Sequence, residues 1–202
     1  MKNIKVGVGI GESTRAISLE DEKKSDLLEK LYYTDEPVDQ VIDKFMKQYY
    51  NHREHDFLIK ICVEEVKERS SYQNSVICAR LLGKFKAKEG IQALVDNILI
   101  GPFDIGINPA LEKVESIKIN KDDFPAAYAL MQIGKSSTNA LREKIASLNG
   151  EEEEDDVYRL ICLNTIKKIE GDKKAKILIN NMIEKEKNLQ RKQNLEKALK
   201  LF

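Results

Sequence analysis

The two histidines of the chain, His52 and His55, form its clearest metal-binding pattern. They lie three residues apart in the string NHREHD, so a helix there would place both imidazoles on one face, with Glu54 or Asp56 nearby. The HExxH spacing of zinc enzymes is absent, and the sequence offers no evident third ligand. A polar turn between two helices explains the same string, and we therefore predict no metal site and no cofactor.

Alternating glycines in the string GVGIGES, residues 7–13, resemble a phosphate-binding loop only in part. The Walker pattern needs Lys-Ser or Lys-Thr after its last glycine, whereas Glu-Ser follows here. The dinucleotide-binding pattern belongs to a βαβ unit, and the chain shows no such unit. The sequence instead predicts an N-terminal arm over residues 1–17.

Several acidic and aromatic residues are candidates for contact with a protein partner. Residues 151–156 are six consecutive acids, which we interpret as a solvated turn before a helix; the alternative is a contact for a basic partner or a cation. Each tyrosine doublet, at 32–33 and 49–50, leaves one ring nearer to solvent than the other. The apolar side chains near residue 103 must be shielded from water by other parts of the fold or by a partner. The candidate partner-binding residues are Tyr33, Tyr50, Phe103, Glu152, Glu153 and Asp155.

The C-terminal part of the chain is basic, with eleven basic and five acidic residues between 167 and 202. Phosphate contacts by these bases would suit a nucleic acid. No aromatic residue lies among them before Phe202, and the whole chain balances 34 basic against 34 acidic residues, which disfavours a nucleic-acid partner. A solvated face that caps the end of the fold explains the bases better. The alternative basic patch comprises Lys173, Lys174, Lys176, Arg191 and Lys192.

Patterns typical of enzymes are missing from the sequence, which lacks Gly-x-Ser-x-Gly and any recognisable Cys–His pairing. A non-enzymatic role is therefore favoured, although an active site built from dispersed carboxylates stays open. The three cysteines, Cys62, Cys78 and Cys162, have no CxxC spacing, which indicates free thiols in a reducing, cytoplasmic environment. No apolar run has the length of a membrane span, so no membrane partner is expected.

The elements that would position these residues follow from an apolar pattern that occurs three times. Each set has the spacing i, i+3, i+6, then a short break, then a second pair at i, i+4, which is typical of two helices that each bury one face. The first members of successive sets are 48 and 36 residues apart. The sets are Ala79, Leu82, Phe85, Leu94 and Ile98; Ala127, Leu130, Ile133, Leu141 and Ile145; and Leu163, Ile166, Ile169, Leu178 and Met182.

Helix boundaries follow from proline and glycine. Pro37 and Pro125, each preceded closely by aspartate, predict helix starts. Glycines predict the turns inside the three pairs, and from the last turn a long helix is expected to continue to Phe202. The turn positions are Gly83 with Gly90, Gly134, and Gly171.

The string FPAAYALMQIGKSSTNALREKI resembles a HEAT-like repeat of the bilin-lyase type. SVICARLLGKFKAKEGIQALVDNI and VYRLICLNTIKKIEGDKKAKILINNMI resemble it less closely, and the resemblance covers roughly residues 56–184. It implies a right-handed stack of antiparallel helix pairs with a concave binding face. It does not identify a function, because HEAT-like stacks serve as scaffolds, adaptors, lyases and DNA glycosylases.

The sequence thus predicts an all-α protein, a right-handed α-α superhelix of about four helix pairs, with a single domain over residues 18–202 and an irregular insertion at 101–122. The expected function is a non-enzymatic protein–protein interaction module of the scaffold, adaptor or bacterial toxin-neutralising type. The alternative is a nucleic-acid-binding or DNA-glycosylase-like HEAT-repeat protein that uses the basic C-terminal helices.

Overall fold

The computed structural model describes residues 19–32, 36–101, 118–148 and 153–202, and these residues form helices joined by turns. The expected arm at 1–17 and most of the insertion at 101–122 lie outside the described residues. Two 3-10 segments, Lys88–Gly90 and Gly134–Ser137, accompany the α-helices. The α-helices are α1 Leu19–Tyr32, α2 Val38–Tyr49, α3 His55–Glu68, α4 Tyr72–Phe85, α5 Ile91–Asp96, α6 Pro125–Ile133, α7 Thr138–Ser147, α8 Glu153–Glu170, α9 Asp172–Lys185 and α10 Leu189–Leu199.

The described part of the chain is therefore all-helical, as the sequence predicts, and it contains no strand. Local chemistry sets several helix ends. Pro125 is the first residue of α6, and the Ser71 side chain accepts a hydrogen bond of 3.2 Å from the Asn74 amide at the start of α4. Arg69 and Lys86 adopt left-handed conformations that end α3 and α4. None of the described helices is both long enough and apolar enough to cross a bilayer.

The helices pack in two layers that alternate along the chain. In the first layer α2 packs on α4, α4 on α6, and α6 on α8. In the second layer α3 packs on α5 and α5 on α7, while α10 packs against both α7 and α9. The two layers are joined mainly by contacts of α3 with α4, α5 with α6, and α7 with α8. This order places alternate helices of the chain side by side, so equivalent faces of α2, α4 and α6 lie next to one another.

The recurring apolar residues form the core between the two layers. The first two positions of each set and the second-helix positions of the first two sets are buried: Ala79, Leu82, Leu94, Ile98, Ala127, Leu130, Leu141, Ile145, Leu163 and Ile166. The third position of each set is half-buried, as are Leu178 and Met182. The apolar recurrence is thus a core pattern.

Gly83 has a different place from the one expected. The sequence predicts that it begins a turn, but α4 continues to Phe85 and the turn begins at Lys86. Gly83 instead lies where α4 crosses α6, and a Cβ added to it would come within 2.7 Å of Ala129 Cα and 2.9 Å of Ala129 Cβ. The missing side chain therefore lets the two backbones approach closely.

The C-terminal region also differs from the expected long helix, because residues 186–188 separate α9 from α10. The Asn188 side chain accepts a hydrogen bond of 3.1 Å from the Arg191 amide, and the Glu186 carboxylate accepts one of 3.0 Å from the Asn188 amide. These side chains satisfy backbone donors that a continuous helix would have paired internally. The break lets α10 fold back, and the buried Asn194 amide donates to the carbonyls of Ala146, at 3.0 Å, and Leu148.

All three cysteines are free and buried in the helical core. Burial raises the pKa of the Cys162 thiol to about 12. The pKa of Cys78 is raised too, first by its hydrogen bond with Cys62 and then by burial. The thiols of Cys78 and Cys162 are therefore held in the protonated, unreactive form.

Candidate functional site

A polar cleft crosses the outer face of α2, α4 and α6. We call it the first-layer cleft, and its volume is about 270 Å³. Its walls come from these three helices and from the turn that precedes α6. The lining residues are Asp39, Asp43, Arg80, Lys84, Lys121, Tyr128 and Gln132.

The helical residues of the cleft occupy equivalent positions in α2, α4 and α6, which are neighbours in the first layer. A step of 41 residues leads from Asp39 to Arg80, and the same step leads from Asp43 to Lys84. A step of 48 residues, the same as that of the apolar recurrence, leads from Arg80 to Tyr128 and from Lys84 to Gln132. Two rows of polar side chains therefore line the first-layer cleft. In α4 and α6, the members of one row directly follow the buried Ala79 and Ala127, and the members of the other row come five residues after them.

Three of the lining residues, Asp39, Arg80 and Lys121, belong to a charged network. Asp39 accepts hydrogen bonds from Arg80 Nη2 and from Lys121 Nζ, which is 82 residues away along the chain. Asp122 Oδ1 lies 3.7 Å from Lys121 Nζ and 3.9 Å from Arg80 Nη1. The Arg80 side chain is only 6% exposed, so its guanidinium is fixed from below by packing and from above by these carboxylates.

The pKa of the Asp39 carboxyl lies below its ordinary value of 3.8, first because Lys121 and then because Arg80 donates hydrogen bonds to it. Since the folded-state pKa is lowered, the stabilisation is complete above the ordinary pKa and is lost as the pH falls through the lower folded value. We expect Lys121→Gln to move the titration midpoint of Asp39 upward, as measured by carbon NMR of its carboxyl group. An unchanged midpoint would show that Lys121 does not bind this carboxylate in solution.

The remaining lining residues of the cleft hold polar groups that have no partner in the described part of the chain. These are the Asp43 carboxylate, the Lys84 ammonium, the Tyr128 hydroxyl and the Gln132 amide. Gln132 Oε1 lies directly over Gly83, where an added Cβ would come within 2.5 Å of it. The cleft therefore presents an acid, a base, a phenol and an amide that are available to a ligand, beside a pre-ordered charged network.

Of the sequence-predicted partner residues, the structure places two side chains, and neither lines the cleft. Tyr50 is 59% exposed and stacks on Phe85, with ring centroids 6.4 Å apart. Asp155 is half-buried in the first turn of α8. Tyr33, Phe103 and Glu152 lie outside the described residues, and Glu153 begins α8 but its side chain lies outside the described part.

The alternative basic patch is divided between two helices, and three of its cations are already engaged. Arg191 forms ion pairs with Glu143, at 2.6 Å, and with Glu186, at 2.9 Å. Lys174 pairs with Glu170 at 2.5 Å, and Lys176 lies 5.4 Å from the centroid of the Phe202 ring. Lys173 is exposed on α9, and Lys192 is half-buried on α10. Much of the patch's positive charge is thus offset locally.

The two histidines contact different aromatic rings. His52 packs edge-on against Tyr49, with centroids 5.7 Å apart, and His55 packs edge-on against Phe85 at 4.8 Å. Within the described ranges, no three His, Cys, Asp or Glu side chains cluster in a way that could hold a metal ion.

Sequence reasoning missed every residue of the first-layer cleft, although a signal for it was present. The polar positions Arg80 and Tyr128 repeat with the same step as the apolar residues that precede them, Ala79 and Ala127.

Comparison with known proteins found no match: no family model matches the chain, and no curated protein or solved structure is significantly similar to it.

Proposed function

We propose that this protein is a non-enzymatic, HEAT-like helical-repeat module that binds another protein in the first-layer cleft. The observation that carries the proposal is the convergence of six equivalent side chains from α2, α4 and α6, four of them unpartnered in the described residues. Repeat proteins bind partners on surfaces that equivalent positions of successive repeats build together. The two alternating layers and the repeated core positions support a stack of helix pairs; its right-handed twist rests on the resemblance alone.

The chemistry of the cleft favours a polar, extended protein segment. The Gln132 amide and Tyr128 hydroxyl can bind the peptide groups of such a segment, while Asp43 and Lys84 can pair with side chains of opposite charge. An extended segment leaves its backbone donors and acceptors open, and donors and acceptors in a fixed row fit them. The nucleic-acid alternative has less support, because Arg191 and Lys174 already pair with carboxylates.

Site-specific photo-crosslinking tests the proposal. A photoreactive amino acid at position 132 should capture a discrete protein partner in cells of the native host. The same group at Gln193, an exposed residue of α10, should not capture it. Lys84→Glu should weaken binding of the purified partner by about tenfold, or about 1.4 kcal/mol.

Lys88→Glu provides the matched control, because Lys88 is exposed, lies outside the cleft and undergoes the same charge reversal. It should leave affinity within about twofold, well under 1 kcal/mol. Equal capture from positions 132 and 193, or equal losses in the two lysine variants, would show that the cleft is not the binding surface.

A further inference from the structure

A second polar cleft lies between α7 and α9, away from the first-layer cleft. We call it the α7–α9 cleft, and its volume is about 290 Å³. α10 packs against both helices and joins them. The lining residues are Asn139, Arg142, Glu143, Asn181, Met182 and Lys185.

Arg142 is held in this cleft by contacts that leave part of it unsatisfied. Its Nη2 donates to Asn139 Oδ1, and its Nη1 donates to the Leu178 carbonyl at 3.3 Å. Its Nε is out of contact with solvent and has no hydrogen-bond partner among the described residues. Each terminal nitrogen of the guanidinium carries a second N–H that these contacts do not use, and an acceptor in the cleft can receive a hydrogen bond from it.

The facing helix adds two further donors. Asn181 and Lys185 are one helical turn apart on α9, and neither side chain has a partner among the residues that the structure describes. The one carboxylate of the lining, Glu143, is engaged with Arg191 at 2.6 Å. Donors and positive charge thus enter the cleft from both helices, while its negative charge is already paired.

We propose that the α7–α9 cleft binds the phosphate group of a small molecule. A phosphate offers several strong acceptor oxygens that can receive hydrogen bonds from Arg142, Asn181 and Lys185 together, whereas a carboxylate offers only two oxygens. A guanidinium held by two contacts is pre-ordered for such a ligand, which lowers the entropy lost on binding. The cleft volume, near the lower end for ligand sites, fits a small ligand.

NMR titration with inorganic phosphate, at constant ionic strength, tests this site directly. Phosphate should produce saturable shifts of the Arg142 Nε–H and Asn181 side-chain signals. Sodium chloride alone should not produce them, and acetate should bind more weakly than phosphate. Absence of saturable shifts, equal shifts with chloride, or acetate binding as tight as phosphate would overturn the proposal.

Two variants and a matched control assign the binding to the cleft. Arg142→Gln and Lys185→Gln should each weaken phosphate binding by about tenfold. Lys173→Gln, which removes the same charge from an exposed position of α9 outside the cleft, should change it by less than about twofold. Because Lys185 is exposed, its variant keeps the test valid even if Arg142→Gln fails to fold. Equal weakening by all three would show non-specific charge attraction.

Discussion

Gly83→Leu is expected to lower the free energy of unfolding by at least about 3 kcal/mol, because the two most closely packed helices of the first layer would have to separate. Even a single Cβ at this position would come within 2.7 Å of Ala129 Cα, and backbone cannot rotate away as a flexible side chain can. Chemical denaturation followed by circular dichroism measures the change.

Alanine variants separate this steric effect from other properties of glycine. Gly83→Ala should also destabilise the protein, even though alanine favours a helix over glycine by about 1 kcal/mol. Gly171 has a φ of +81° and a ψ of 155°, a conformation that essentially only glycine adopts, and an added Cβ would meet no atom within 4 Å, so Gly171→Ala should cost only the backbone strain of about 1–3 kcal/mol. A Gly83→Ala variant more stable than the wild type would show that α4 and α6 are not in close contact.

Arg159→Met is expected to raise the free energy of unfolding by about 1–4 kcal/mol. The Arg159 side chain is 1% exposed; its Nη1 donates to Asp156, but its Nε and Nη2 have no hydrogen-bond partner in the part of the chain that the structure describes. Burial lowers the pKa of this guanidinium, which reflects the cost of keeping its charge away from water. Methionine fills a similar volume without that cost.

A double-mutant cycle with Asp156 supplies the control for this prediction. Asp156→Ala removes the acceptor of Arg159 Nη1, so it should destabilise the wild type and have little effect in the Arg159→Met background. Lys168→Met removes an exposed charge from the same helix and should change stability by no more than about 0.5 kcal/mol. An Arg159→Met variant less stable than the wild type would contradict the expected gain.

The helical class and the core could be predicted from sequence because they depend on local periodicity. Ala79, Leu82 and their equivalents recur at helical spacing, and burial of one helix face requires no knowledge of its neighbour. The break before α10 was missed because it contains no glycine or proline. It depends on the side chains of Glu186 and Asn188, which accept backbone hydrogen bonds.

The candidate site was harder to predict, because it depends on how helices dock. Lys121 and Asp39 are 82 residues apart, and no local pattern indicates that one binds the other. Gly83 shows the same limit, since a glycine near a helix end resembles a turn signal until the approach of Ala129 is known. Arg80 and Tyr128 are the part of the site that the sequence could have indicated, because they are separated by the same 48 residues as the core residues that precede them.

The network of Asp39, Arg80 and Lys121 has a mechanical consequence. Packed helices flex at the interfaces between neighbours, but this network connects α2 to the turn before α6 across α4. A tie that spans two interfaces opposes bending at both of them, so we expect α2, α4 and α6 to move as one stiff unit. Because Asp39 and Lys121 are partly exposed, we expect dissolved salt to screen their attraction and to make this unit more compliant.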